Sequence, residues 1–233
     1  MKKTLYLLFI VPVCILSMLT IIYIFSKDEP LFFLKNIKIN GVNQLKDRDI
    51  IGRVSPFLKE SLFKIDVVKM KEAIACHPFV KEVRIKRVYP FSIVIDVKEK
   101  IPSALWVNHL GDVFVLDEYG EPFRGLTKGD KKGMFIINAK EKNDVKSVYR
   151  EINSWLTEGI IKKETMSDVA YNEGNITIFG LEDGLEIILG KEDQKSRLKR
   201  AIAVLEDAKK RGLLIKCIDA RFERGAIIQE RKG

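Results

Sequence analysis

The sequence predicts an α+β protein in three parts: an N-terminal transmembrane helix, a small β-α-α-β-β domain, and a β-rich domain with two helices. Three observations carry that reading. The 22 residues from Thr4 to Phe25 hold no charge; the following stretch passes from one strand pattern through two short helical patterns to two alternating runs; and the remainder alternates apolar runs with Gly-containing turns. The 233 residues, 46% hydrophobic and 31% charged, suffice to bury a core in more than one domain. With 15 Gly and 7 Pro there is no low-complexity or disordered bias.

The first segment, TLYLLFIVPVCILSMLTIIYIF, is long enough to span a bilayer, for which a helix needs roughly 20 apolar residues. Pro12 is tolerated in such spans. A cleaved signal peptide would carry a shorter apolar region of ~7–15 residues and a small-x-small cleavage site, and Ile22 to Lys27 offers none. An uncleaved anchor is therefore the favoured reading. Lys2 and Lys3 precede the span, and Lys27, Asp28 and Glu29 follow it, which keeps the amino terminus in the cytoplasm. The rest is then extracytoplasmic, on a single-pass protein of the cytoplasmic membrane, and nucleic acid is excluded as a partner. The basic surplus, 41 Lys and Arg against 32 Asp and Glu, suits an anionic surface instead.

The expected boundaries are 1–26 for the tail and anchor, 27–101 for the first domain and 102–233 for the second. Residues 31–39 read as a strand closed by Asn40-Gly41. A short helix covers Lys46 to Val54 and stops before Ser55-Pro56. Asp66 reads as the N-cap of a second helix whose apolar face is Val67, Met70 and Ile74. That helix ends near Cys76, because Pro78 disfavours helical geometry at His77. Two strands follow, Val83 and Ile85 alternating with charged residues, then, past Val88-Tyr89-Pro90, Ile93, Ile95 and Val97. Ile85, Ile93 and Ile95 should face the helices.

The passage HPFVKEVRIKRVYPFSIVIDVKEKIPSALW, His77 to Trp106, resembles the signature of the FtsQ/DivIB cell-division family. Its exit reads Glu99, Pro102, Ala104, Trp106, matching the family's Glu-x-x-Pro-x-Ala-x-Trp. The β-α-α-β-β unit resembles a POTRA domain. Further on, the turn Asp117-Glu118-Tyr119-Gly120 after Val113–Leu116 resembles the family's Val-x-Asp-x-x-Gly hairpin. GLEIILGKEDQKSRLKRA, from Gly184, and IDARFERGAII, from Ile218, are also similar to family landmarks, so the resemblance covers essentially the whole chain.

In the second domain a helix is expected after N-cap Asn143, with Val145, Val148, Tyr149, Ile152, Trp155 and Leu156 on one face and Gly159 as its stop. Strands are expected at Ile176–Phe179 and Leu185–Leu189, divided by Glu182-Asp183-Gly184. A second helix spans about 191–211, with Leu198, Ala201, Ile202, Leu205 and Ala208 inward. The last strands are Ile215–Phe222 and Gly225–Glu230.

Catalytic chemistry finds little support. No G-x-S-x-G elbow, H-E-x-x-H helix or P-loop occurs, and neither a cofactor nor a metal is expected. His77 reads as a helix-boundary residue and His109 as an exposed loop residue. Asp117, Glu118 and Glu121 are a carboxylate cluster that glycan hydrolysis would need, but a turn with solvated charges explains them better. Lys81, Arg84, Lys86 and Arg87 read as the wet face of a sheet. Lys195, Arg197, Lys199, Arg200, Lys209 and Lys210 read as mostly decorating the outward face of their helix. The three Cys, Cys14, Cys76 and Cys217, are too few for a disulfide framework, and Cys76 and Cys217 are expected as buried free thiols.

What remains is binding. The resemblance implies a non-enzymatic divisome scaffold at the septum, holding FtsB (DivIC)-like and FtsL-like single-pass coiled-coil proteins. The competing readings are a membrane-anchored hydrolase of wall polymer and a POTRA-type adaptor in outer-membrane protein assembly. The apolar run Gly225-Ala226-Ile227-Ile228-Gln229-Glu230 is a candidate sheet edge to which a partner strand could add. The resemblance points to the same place: Arg221 matches the family Arg, and Phe222 stands where an aromatic is common. Glu230 departs from relatives that carry Trp there.

Overall fold

The computed structural model describes residues 2–28, 34–58, 61–127, 130, 133–180 and 184–231, with the side chains of the first helix described for 10–23. The chain divides into two compact units, Met1–Glu99 and Lys100–Gly233.

The first unit opens with helix α1, Lys2–Asp28, which contains Pro12. Its described side chains are all exposed. Among the described residues no helix is long and apolar enough to cross a membrane. The uncharged run from Thr4 to Phe25 extends past residues 10–23 on both sides, and its positions 4–9 and 24–25 lie outside the described side chains. After residues 29–33, also outside the description, come β1 (Asn36–Asn40), α2 (Asp47–Val54), a 3-10 turn at Ser55–Phe57, α3 (Val67–Ala75), β2 (Val80–Val88) and β3 (Ser92–Glu99).

The sheet order is β1-β3-β2, with β1 parallel to β3 and β2 antiparallel to it. Parallel pairing requires a crossover, and the chain makes it through α2, α3 and the outer strand β2. Ile50, Val54, Met70 and Ile74 from the helices bury against Ile93 and Ile95 from β3, with Ile85 partly buried beside them. Asp66 caps α3, its carboxylate accepting from the amides of Val68 and Lys69 at 3.0 and 3.1 Å. Gly41, at φ +81°, is required: a Cβ there would sit 2.1 Å from the carbonyl oxygen of Val97. The Glu99 carboxylate accepts from the amides of Asn43, Gln44 and Leu45, fixing the turn into α2.

Two expectations fail in this unit. Cys76 is exposed, because it is the residue that closes α3. Arg87 is not a wet-face residue of the sheet: it shares the face of Val83 and Ile85, and its guanidinium donates to the carbonyl of Ile65 at 2.6 Å. Arg84 and Lys86 do face outward, pairing with Glu82 and Asp96.

The second unit contains β4 (Ala104–Val107), β5 (Val113–Leu116), β6 (Pro122–Gly125), β7 (Ile136–Asn138), α4 (Lys142–Thr157), β8 (Met166–Asn172), β9 (Asn175–Gly180), β10 (Glu186–Gly190), α5 (Gln194–Lys210), β11 (Ile215–Asp219) and β12 (Ile227–Glu230). Among the described residues these strands form one sheet in the order β12-β11-β10-β9-β8-β7-β4-β5-β6. α4 crosses between the parallel strands β7 and β8, and α5 between the parallel strands β10 and β11. Trp155, Ile152 and Val145 of α4 and Leu198 and Ala201 of α5 bury with Ile137, Val169, Ile178, Leu189 and Ile218 in one core.

α4 begins two residues earlier than expected, with Glu141 rather than Asn143 as N-cap. α5 begins at Gln194, whose side-chain Nε2 donates to the carbonyls of Gly174 and Gly190, and residues 191–193 stay a bend. Glu182 and Asp183 of the expected turn lie outside the described residues. The sequence pattern missed β4, β7 and β8. β4 has three consecutive buried residues and β7 is only three residues long, while β8 buries only Met166 and Val169. None of these gives a clean period of two.

Candidate partner-binding edge

β12 pairs on one side with β11, in the register Asp219 with Ile227, Ile218 with Ile228 and Cys217 with Gln229. On its other side it ends the sheet, among the described residues. All four of its residues are exposed, Ile227 by 58%. Its far end is held by the Arg231 amide, which donates to the carbonyl of Leu214 at 2.8 Å.

Both strands are shorter, and the connection between them longer and more bent, than the sequence suggests. β11 stops at Asp219 and β12 starts at Ile227, so Phe222 and Gly225 lie in a bend, with Ala226 between it and the strand. The cause is the Arg200 guanidinium on α5. It donates to the carbonyls of Ala220, Phe222 and Glu223 at 3.1, 2.6 and 2.9 Å, taking acceptors that a continuing strand would offer to a neighbour. Arg197, one turn earlier, donates to the carbonyl of Leu189 at 2.8 Å. These two arginines are therefore clamps, not outward decoration. The available signal was their position beside the inward-facing Leu198 and Ala201.

Arg221 turns back on Asp219, its Nε and Nη2 donating to the carboxylate at 2.9 and 2.6 Å while its own amide donates to the same group. Those bonds, above all the side-chain one, hold the Asp219 carboxyl below the usual carboxylate range against partial burial. Asp219 is the register partner of Ile227, while the stem of Arg221 lies beside Gly190 at the end of β10. Phe222 remains exposed in the bend, and Gly225 takes φ +83°. Ala226 instead packs against the core. Ile228, Gln229 and Glu230 complete the edge. Cys217, on β11 opposite Gln229, is half-buried rather than buried, and burial pushes its thiol up.

The carboxylate cluster lies elsewhere in this unit. Asp117 is 4% exposed and accepts from the amides of Tyr119 and Glu121, so it builds its turn instead of being solvated by it. Gly120 is needed beneath Tyr149, since a Cβ there would lie 2.7 Å from that ring. Glu118 accepts from the amide of Ile101, and Glu121 is engaged by Lys142 and Lys146. His77 accepts at Nδ1 from the Phe79 amide and burial lowers its pKa; His109 is exposed in a loop.

Comparison with known proteins adds an independent line. Residues 104–221 match the family described as Cell division protein FtsQ/DivIB, C-terminal, and residues 32–100 match the POTRA domain, FtsQ-type. The chain is 24% identical over 201 residues to Cell division protein FtsQ of Myxococcus fulvus, covering 82% of this chain and 70% of that protein. It is 23% identical over 221 residues to the protein of the same name in Geotalea daltonii, covering 90% and 80%. It is 24% identical over 197 residues to that of Hahella chejuensis, covering 82% and 67%.

Proposed function

The chain belongs to the FtsQ/DivIB family, and from that premise we propose that it is a non-enzymatic scaffold of the bacterial divisome. In this reading α1 is a single-pass anchor in the cytoplasmic membrane with its amino terminus inside, and the two units stand on the outer side at the septum. The 22 uncharged residues from Thr4 to Phe25, contained within one helix, support the anchor. The domain limits that go with it are 1–26, 27–101 and 102–233.

The single observation that carries the binding role is the open edge of β12. A strand with one unpaired side can accept a strand from another chain, main-chain bonds giving affinity and alternate side chains giving selectivity. The proposed partners are an FtsB (DivIC)-like and an FtsL-like coiled-coil protein, met at Ile227 to Glu230 with Arg221 and Phe222 at the entrance. The three engaged carboxylates around Asp117 give no support to a hydrolase.

Depletion of the protein with microscopy of a fluorescent fusion tests the role. The expected outcome is undivided filaments or enlarged cells and a mid-cell signal; uniform membrane signal with normal division rejects it. A reporter fused after residue 30 should be active only outside. Mass spectrometry of the mature chain should find residues up to Phe25 retained, and a start near residue 27 rejects the anchor.

A further inference from the structure

We infer that one tip of the first unit rests on the membrane surface, contacting anionic lipid headgroups through an aromatic and basic patch. The inference rests on the anchor reading and adds a contact surface to it. Three separate stretches meet at this tip. The Phe63 ring stacks on Tyr89 with centroids 5.2 Å apart, joining the loop before α3 to the turn between β2 and β3. The amides of Lys35 and Asn36, at the start of β1, donate to the carbonyl of Phe91 in that same turn. The Lys35 ammonium lies 4.5 Å from the centroid of the Phe91 ring.

The tip displays what a core would normally hide. Phe63 is 57% exposed, Tyr89 55% and Val88 46%. Clustered exposed apolar groups mark contact sites. Lys35 and Lys64 are exposed among them, while Asp66, on the same loop, is engaged in capping α3 and pairing with Lys69. Aromatic rings beside ammonium groups suit the lipid interface, where the rings sit at headgroup depth and the cations meet phosphate.

Chain length says which surface this tip can reach. α1 ends at Asp28, and the tip includes Leu34 and Lys35, where the chain enters the domain. Six peptide steps separate Asp28 from Leu34, a reach of at most about 22 Å. A domain tethered this closely presents its entry end, and not its far end, within range of the bilayer that holds α1. The occupant is therefore the bilayer itself.

The test uses the full chain reconstituted into vesicles of phosphatidylcholine with or without phosphatidylglycerol, the acyl chains brominated near the headgroup to quench indole emission. The parent chain, with Trp106 and Trp155, sets the background. In vesicles containing phosphatidylglycerol, the added emission of Tyr89→Trp should fall by roughly half, as expected for an interfacial ring, and Phe63→Trp should repeat the result if the first change disturbs the stack. Adding Lys35→Glu and Lys64→Glu should remove most of that loss. A chain that floats with the vesicles but shows no added quenching in either variant overturns the tip contact alone and leaves the patch to a protein partner. A chain that fails to float overturns the anchor and the contact together.

Discussion

Among the described residues the sheet of the second unit has nine strands and two ends, and these ends are built in opposite ways. β6 begins with Pro122, which has no amide to donate, and ends with Gly125. Its Arg124 forms a bidentate pair with Asp130 at 2.5 and 2.7 Å, and Asp130 also accepts from the amide and hydroxyl of Thr127. β12 has no proline, carries Ile227 and Ile228 in the open, and takes its position from a clamp on α5. An edge is a hazard unless blunted. One end of this sheet is blunted by proline and an ion pair, and the other is held out by arginine. The contrast favours β12 over β6 as the site for an added strand.

The largest expected effect is at the blunted end. Asp130→Ala strands the nearly buried Arg124 guanidinium, and breaking such a pair costs about 3–5 kcal/mol. Denaturant unfolding of the full chain measures it. The bond from Arg124, and secondarily Thr127, holds the Asp130 carboxyl well below the usual value of 3.8 in spite of burial. A depressed carboxylate stabilises the fold above the unfolded pKa and loses that contribution as pH falls through the folded one. The stability difference between the parent and Asp130→Asn should therefore be flat from pH 5 to 8 and shrink below about pH 4. A difference that grows on acidification contradicts the pair.

At the open end the effect should be on binding. Ile227→Pro and Ile228→Pro remove neighbouring amides, which point to opposite sides of the strand. One variant loses a bond to β11 and is destabilised. The other stays folded and should lose at least tenfold in affinity for the proposed coiled-coil partner, about 1.4 kcal/mol. If both fold and both bind fully, the site lies away from β12.

A smaller effect is expected between these extremes. Asp219→Asn weakens the Arg221 pair, and because Arg221 is more than half exposed the loss in stability should stay under about 1 kcal/mol. Partner affinity measured by titration should fall more than the melting temperature does. An equal loss in both would make the pair a stability device alone.

The smallest effect separates Cys76 from Cys217. Cys76 should react readily with a thiol reagent at neutral pH, whereas Cys217, half-buried and with its thiol pushed up, should react slowly. Addition of the partner should slow Cys217 further if a strand joins β12 beside it.

Much of this molecule can be read in one dimension. Helix α3 follows from Asp66 as cap and from Met70 and Ile74 one turn apart, and the β2–β3 pair follows from alternation, because these signals repeat within a few residues. The same holds for the buried face of α4. β8 escaped because its neighbours on both sides, not its own composition, make it a strand; Ser167, Asp168 and Asn172 look like a loop until β7 and β9 supply the pairing. Arg87 was misassigned because the acceptor it reaches, the carbonyl of Ile65, lies 22 residues away.

The proposed partner edge divides along the same line. The sequence alone determined that residues 225–230 form an apolar run suited to a strand, that Arg221 and Phe222 precede it, and that an uncharged segment of spanning length stands at the amino terminus. Periodicity and composition are local properties, so they survive in the linear text. Only the tertiary structure decided that β12 ends the sheet among the described residues, that Arg200 bends the chain ahead of it through three carbonyls, and that Arg221 turns back on Asp219. Each of these depends on which groups meet across the fold, because a backbone carbonyl carries no residue-specific mark until some side chain reaches it.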